Sequence, residues 1–202
     1  MKLYDFTAAP HPRRVRIFLA EKGIDVPLTQ VDIMAQENRT DAFLAKNPFG
    51  GLPILELDDG TCIAESVSIC RYFDETHTEN PLFGKTPTQK AVIDMWLRRV
   101  ELQLMAHIGM VWVHGHELNA GLLEQIPEAA EQSRTRCAAN YEIFDTELAS
   151  REFMAGDEYS VVDAIALATI DFGSFVNAGF DDSLSNLKRW HDAMSARPSA
   201  KA

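Results

Sequence analysis

Up to about residue 80 this chain alternates short strand-like and helix-like segments; beyond it no strand signal remains. That single change of texture restricts the fold to a small α/β domain followed by an all-helical one. Lys2–Phe6 reads as a short strand. Arg13–Lys22 carries Val15, Phe18 and Leu19 at helical spacing, and Gly23 stands where a helix end favours glycine. Pro27–Ile33 reads as a second strand, and Asn38–Lys46 as a short helix with Phe43 and Leu44 inward. Pro53–Leu57 and Thr61–Ala64 flank Asp58-Asp59-Gly60, a hairpin turn. Glu65–Glu75 is helical, with Val67, Ile69, Cys70 and Phe73 on its apolar side.

Pro81, Gly84 and Pro87, in a stretch without periodicity, mark a linker. The domains are therefore expected at 1–78 and 89–202, joined by 79–88. Thr88–Leu118 predicts one long helix, Glu124–Ala149 a second and Leu184–Ser195 a last one that Arg197-Pro198 stops. Val161–Val176 is apolar nearly all round and predicts a buried central helix. In the first domain, a βαβ unit followed by two antiparallel strands and a helix is the thioredoxin-like order.

Charge and cysteines exclude several functions. With 30 acidic against 19 basic residues the net charge is −11, which repels phosphate backbones and anionic membrane surfaces. Neither nucleic acid nor membrane is an expected partner. Cys62, Cys70 and Cys137 are too scattered for a zinc site and read as reduced thiols, so no metal is expected. The N-terminal MKLYDF is too short an apolar run for a signal peptide, and Val161–Ile170, broken by Asp163, is half a membrane span. The expected compartment is the cytoplasm.

Four segments could carry chemistry. Asn47-Pro48-Phe49-Gly50-Gly51-Leu52-Pro53 precedes the third strand. A cis bond before Pro53 would turn the N–H and C=O of Leu52 outward, where an extended peptide can pair as an added strand. A trans bond would make this an ordinary loop. Glu65-Ser66 opens a helix, whose positive end attracts an anion. There Ser66 can donate to a carboxylate and Glu65 accept from an ammonium, which together hold an amino-acid zwitterion; a plain helix cap fits as well. Thr7 to Arg16 (TAAPHPRRVR) joins the first strand to the first helix, which should begin near His11 with Pro12 in its first turn. A thiolate would be stabilised at that end. Ser160 and Asp163 form a reciprocal capping box, a structural feature.

The loop before VRIFLAEKGI, NPFGGLPILELDDG, ESVSICRYF and GDEYSVVDA together resemble the cytosolic glutathione transferases over nearly the full chain, with the flavour of a theta-related bacterial and fungal subgroup. The resemblance implies the glutathione transferase fold, a thioredoxin-like domain followed by a helical one, with glutathione as cosubstrate. It implies that Leu52 pairs with the cysteinyl part of glutathione and that Pro53 is cis. By the same likeness Glu65 and Ser66 bind the γ-glutamyl end, and Asn38 or Arg39 approaches the glycine end. The sulfur lies at the start of the first helix, and the second domain supplies a pocket for a small apolar electrophile. Such proteins are usually homodimers, with a role in detoxification.

The chain departs from the family at the catalytic position. Ala9 and Pro10 stand where relatives carry a serine or cysteine, and Tyr4 falls inside the first strand. Thr7, the His11 ring and the backbone N–H groups of the first turn remain as donors. These can be enough. Lowering a thiol pKa by about two units needs roughly 2.7 kcal/mol. A helix N-terminus gives about 0.5–2 kcal/mol, and a hydrogen bond to a charged acceptor about 1.5–3 kcal/mol. In the helical domain, His107 and His114 fall near the expected electrophile pocket; His114 either orients a water toward the sulfur or is a surface or interface residue. The expected reaction is conjugation of the glutathione thiolate to the electrophile. A glutathione-dependent lyase or dehalogenase, or a protein of this fold that binds a ligand or partner without turnover, are the alternatives.

Overall fold

The computed structural model describes residues 1–202, which divide into two compact units. One is Met1–Pro81 with Lys201–Ala202, the other Leu82–Ala200. In the first, strands β1 (Lys2–Asp5), β2 (Leu28–Gln30), β3 (Ile54–Glu56) and β4 (Cys62–Ala64) form one sheet in the order β2-β1-β3-β4. β1 runs parallel to β2 and antiparallel to β3, and β3 pairs antiparallel with β4. Helices α1 (Pro10–Lys22) and α3 (Ser66–Thr76) bury Val15, Phe18, Ile69, Cys70 and Phe73, while Leu3, Ile54 and Leu55 are buried in the sheet. The thioredoxin-like order read from the sequence is the observed one.

Boundaries moved where backbone chemistry outweighs apolar spacing. α1 starts at Pro10, one residue from the start expected near His11 and three before the periodic stretch, because prolines pre-set the helical φ and lack an N–H that the first turn cannot use. The helix expected over Asn38–Lys46 is split: a 3₁₀ turn, Glu37–Arg39, is followed by the short α2 (Asp41–Leu44). Thr40 between them is extended, its hydroxyl donating to the Glu37 carbonyl at 2.9 Å.

In the second unit α4 (Pro87–Arg98) begins inside the expected linker. Its capping box pairs the Thr86 hydroxyl with the Gln89 N–H at 3.2 Å and the Gln89 side chain with the Thr86 N–H at 3.2 Å. The long helix continues through a π-helical stretch, Arg99–Met105, into α5 (Ala106–Gly115) and ends at a 3₁₀ turn, Glu117–Asn119. The Gln103 carbonyl in the π stretch accepts from Asn140 of α6 (Pro127–Leu148) at 2.5 Å. α7 (Val161–Phe175) is buried from Val161 to Ile170. Its Asp163 accepts from the Ser160 N–H at 3.0 Å, the Met154 N–H at 2.9 Å and the indole of Trp190 in α8 (Ser185–Ser195) at 2.9 Å. One buried carboxylate thus joins the start of α7 to a loop and to the last helix. No helix is long and apolar enough to cross a membrane.

Candidate active site

His11, Asn47, Gly51, Leu52, Pro53, Glu65 and Ser66 line one cavity of about 140 Å³ in the first unit. Larger hollows of about 540 Å³ beside Arg151 and Arg189, and about 280 Å³ beside Glu142 and Glu147, are open and hold none of the candidate residues. The small cavity is the chemically organised one, because three separate backbone specialisations meet there.

The first is the loop before β3. The Leu52–Pro53 bond is cis. Asn38 Nδ2 donates to the Gly50 carbonyl at 2.8 Å and Asn47 Nδ2 to the Gly51 carbonyl at 3.0 Å, so consecutive peptides ahead of Leu52 are held by side-chain amides. Asn47 Oδ1 also accepts from the Phe49 N–H at 3.2 Å, an Asx turn. Gly50 has φ +65°, and a Cβ there would lie 2.9 Å from the Asn38 carbonyl oxygen, so both the backbone conformation and the close approach favour glycine. The N–H and C=O of Leu52 itself enter no hydrogen bond within the chain. They are available to an extended peptide.

The second is the start of α3. Glu65 has φ 68° and ψ 117°, a conformation that a glutamate adopts at a cost and that recurs where a site demands it. Its side chain is exposed, whereas Ser66 is 5 % exposed. The Ser66 hydroxyl faces the cavity with no partner in the chain, beside N–H groups that the first turn leaves open.

The third is the start of α1. Ala9 precedes it without a side-chain cap. Pro10 and Pro12 carry no N–H, and the Arg13 N–H closes onto the Ala9 carbonyl at 3.3 Å. The His11 N–H is the donor left in that turn, so the expected set of backbone donors narrows to one. The His11 ring lines the cavity as well. Burial, with the Arg14 guanidinium adding to it, pushes its pKa down to about 3. The ring is neutral at physiological pH, with one nitrogen donating and the other accepting.

The remaining candidates lie elsewhere. The Thr7 hydroxyl and N–H both donate to Gln30 Oε1, at 3.0 and 3.2 Å, so that hydroxyl proton is already committed. The Tyr4 hydroxyl donates to Glu56 at 2.7 Å and its ring packs with Val31, Phe43 and Ile54. Asn38 is buried beneath the loop instead of lining the cavity, and exposed Arg39 reaches the Phe49 carbonyl at 3.3 Å. His107 and His114 are half-buried on α5 in the second unit, where His114 Nδ1 accepts from the Ile126 N–H at 3.4 Å. Asn47 and Gly51 belong to a segment expected to carry chemistry, but neither was expected to line the site itself. The Asx-turn pattern of Asn47 two residues before Phe49 was the signal that could have found the first.

The family model "Glutathione S-transferase, N-terminal domain" matches residues 3–81, and "Glutathione S-transferase, C-terminal domain" matches residues 103–198. Glutathione S-transferase 2 of Saccharomyces cerevisiae is 37% identical over 208 residues, which span 100% of this chain and 88% of that protein. Among solved structures, a glutathione S-transferase domain-containing protein of Marinobacter aquaeolei superposes with TM-score 0.92 at 37% identity, covering 98% of this chain and 99% of the other. A Gtt2-class glutathione S-transferase of Vibrio parahaemolyticus gives 0.86 at 32% identity, covering 100% and 96%.

Proposed function

Given that the chain belongs to the glutathione S-transferase family, we propose that glutathione occupies the cavity between His11, Leu52 and Ser66 and is ionised there without a side-chain nucleophile. The enzyme is a glutathione transferase, joining the thiolate of glutathione to an electrophile. The observation that carries the site assignment is the meeting of an unengaged Leu52 backbone, an unengaged Ser66 hydroxyl and a single-donor helix start in one cavity.

The γ-glutamyl carboxylate accepts from Ser66 and the open N–H groups of α3, and its ammonium reaches Glu65. The cysteinyl amide pairs with Leu52 as an added strand. The sulfur then lies at the start of α1, where the His11 N–H and its ring are the donors. The positive charge of Arg14 that disfavours protonated His11 favours a thiolate at the same place. A helix terminus of about 0.5–2 kcal/mol and one hydrogen bond of about 1.5–3 kcal/mol cover the roughly 2.7 kcal/mol that two pKa units require.

On this reading the chain is a theta-related member in which no Ser, Tyr or Cys meets the sulfur. Ala9 at the helix start and the Tyr4 hydroxyl held by Glu56 support that. The electrophile is small and apolar. In the helical unit Trp112, Phe172 and Phe175 form a partly exposed aromatic surface that suits such a molecule, with ring centroids 5.7–6.2 Å apart. His107 and His114 are the further electrophile-pocket candidates. The protein acts as a cytoplasmic homodimer in detoxification. Conjugation of glutathione to a chromogenic chloronitroarene tests the activity. Turnover is expected, and its absence together with release of halide from a haloalkane would favour dehalogenation.

A further inference from the structure

We propose that Asp5 acts through Arg16 and Gln30 as a positioning device for the thiolate end of the site, with Thr7 as the residue it grips. Asp5 ends β1 and is 0% exposed. One of its carboxylate oxygens takes the Arg16 guanidinium of α1, and the other accepts from Gln30 Nε2 at the end of β2, at 2.6 Å. Each of these two partners then reaches the same residue. Arg16 Nη2 donates to the Thr7 carbonyl at 2.9 Å. Gln30 Oε1 accepts from the Thr7 N–H and hydroxyl at 3.2 and 3.0 Å. The N–H, hydroxyl and C=O of Thr7 are therefore all bonded to side chains that converge on one buried carboxylate.

Thr7 is otherwise exposed, and apolar packing does not hold it. It begins the short turn, closed by the Ala9 N–H onto the Phe6 carbonyl at 2.9 Å, that leads into Pro10 and His11. Most helix starts present several N–H groups, so a small displacement leaves some donor in place. Here Pro10 and Pro12 remove that redundancy. The aim of the one remaining N–H and of the His11 ring depends on where the turn lies, and a charge-assisted hydrogen bond weakens steeply with misalignment. The ring of bonds around Thr7 supplies that aim. It never touches glutathione, so it should act on sulfur ionisation and leave recognition of the tripeptide at Leu52 and Ser66 alone.

The inference rests on the glutathione assignment above, and the test separates the two. Gln30 is exposed on an edge strand, so Gln30→Met removes both amide partners at similar volume without opening the core. Thr7→Ala removes the hydroxyl alone, and Thr7→Ser restores it. Neither alters Glu65, which lines this cavity, nor Arg14, whose charge acts on His11. Two quantities are read on the full-length enzyme: the affinity for S-methylglutathione by calorimetry, and the thiolate absorbance of bound glutathione against pH. In Gln30→Met the thiol pKa should rise by about half a unit or more and kcat/KM fall about threefold to tenfold, with S-methylglutathione affinity within about twofold of wild type. Thr7→Ala should shift the titration in the same direction and Thr7→Ser should return it. If Gln30→Met and Thr7→Ala titrate like the wild type, the ring is structural only and the proposal is overturned. If Gln30→Met does not fold, the Thr7 pair decides alone. A wild type that fails to bind S-methylglutathione overturns the glutathione assignment itself, and the positioning role with it.

Discussion

At position 11 an imidazole sits in a helix start from which two prolines have removed the neighbouring donors. Because burial and Arg14 hold its pKa at about 3, it cannot act as a cation, and in the proposed mechanism it offers a neutral N–H beside the backbone one. His11→Ala should therefore lower kcat/KM by about tenfold to a hundredfold, about 1.4–2.7 kcal/mol, and raise the pKa of bound glutathione. In the wild type, kcat/KM between pH 5.5 and 8 should show the ionisation of the thiol and none from this ring. Stability carries the complementary signature. Unfolded His11 takes a proton near 6.5, whereas the folded residue does not until about 3. Between those values the unfolded chain binds the extra proton, so stability falls as pH drops through this window, and His11→Asn should flatten that part of a denaturation-against-pH curve. Ser66→Ala should weaken glutathione binding by about 1–3 kcal/mol in calorimetry; unchanged affinity would remove Ser66 from the site. His11 and Ser66 were legible because proline and helix starts have local signatures, whereas Leu52 was pointed to by the family resemblance, the segment alone leaving the bond before Pro53 cis or trans. The sequence could not reveal that Thr7 and Asn38 are committed to Gln30 and Gly50, since those partners are fixed by where β2 and the loop before β3 come to lie.

Among the elements, α7 shows how a local signal and a tertiary one combine. The Ser160–Asp163 box was readable from its spacing, but the reach of Asp163 to Met154 and Trp190 was not, because it depends on α8 packing beside α7. The consequence is unequal sensitivity. Ser160→Ala should cost about 1 kcal/mol, as a lost cap does. Asp163→Ala leaves the Met154 and Ser160 N–H groups and the Trp190 indole without their acceptor. Buried donors without partners cost about 1–3 kcal/mol each, so the loss should be at least about 3 kcal/mol, read as a lower urea midpoint. Equal midpoints for the two variants would contradict this. The same contrast accounts for the helices whose course departs from their apolar spacing. Apolar spacing continues smoothly from Thr88 to Leu118 and does not register a π-helical stretch, whereas Thr40 interrupts Asn38–Lys46 through backbone geometry that periodicity ignores.

For the molecule as a whole, the division into an α/β unit and a helical unit follows from the disappearance of strand signals after residue 80, the most legible property of the chain. The helical unit leaves Met95, Leu102 and Met110 exposed along α4, the π stretch and α5, at 39%, 62% and 39%. That supports the proposal of a homodimer, for which sedimentation at micromolar concentration should give about 45 kDa, twice the 22.6 kDa chain; a monomer throughout would contradict it. The proposed assignment, in which one cavity of the first unit binds glutathione and ionises it through His11 at the start of α1, is decided by a crystal structure of the enzyme with glutathione. That assignment places the γ-glutamyl carboxylate on Ser66, the cysteinyl amide against the Leu52 backbone and the sulfur within hydrogen-bond reach of the His11 N–H or ring. Glutathione bound away from Leu52 and Ser66, or a sulfur beyond reach of His11 with another group donating to it, would contradict it.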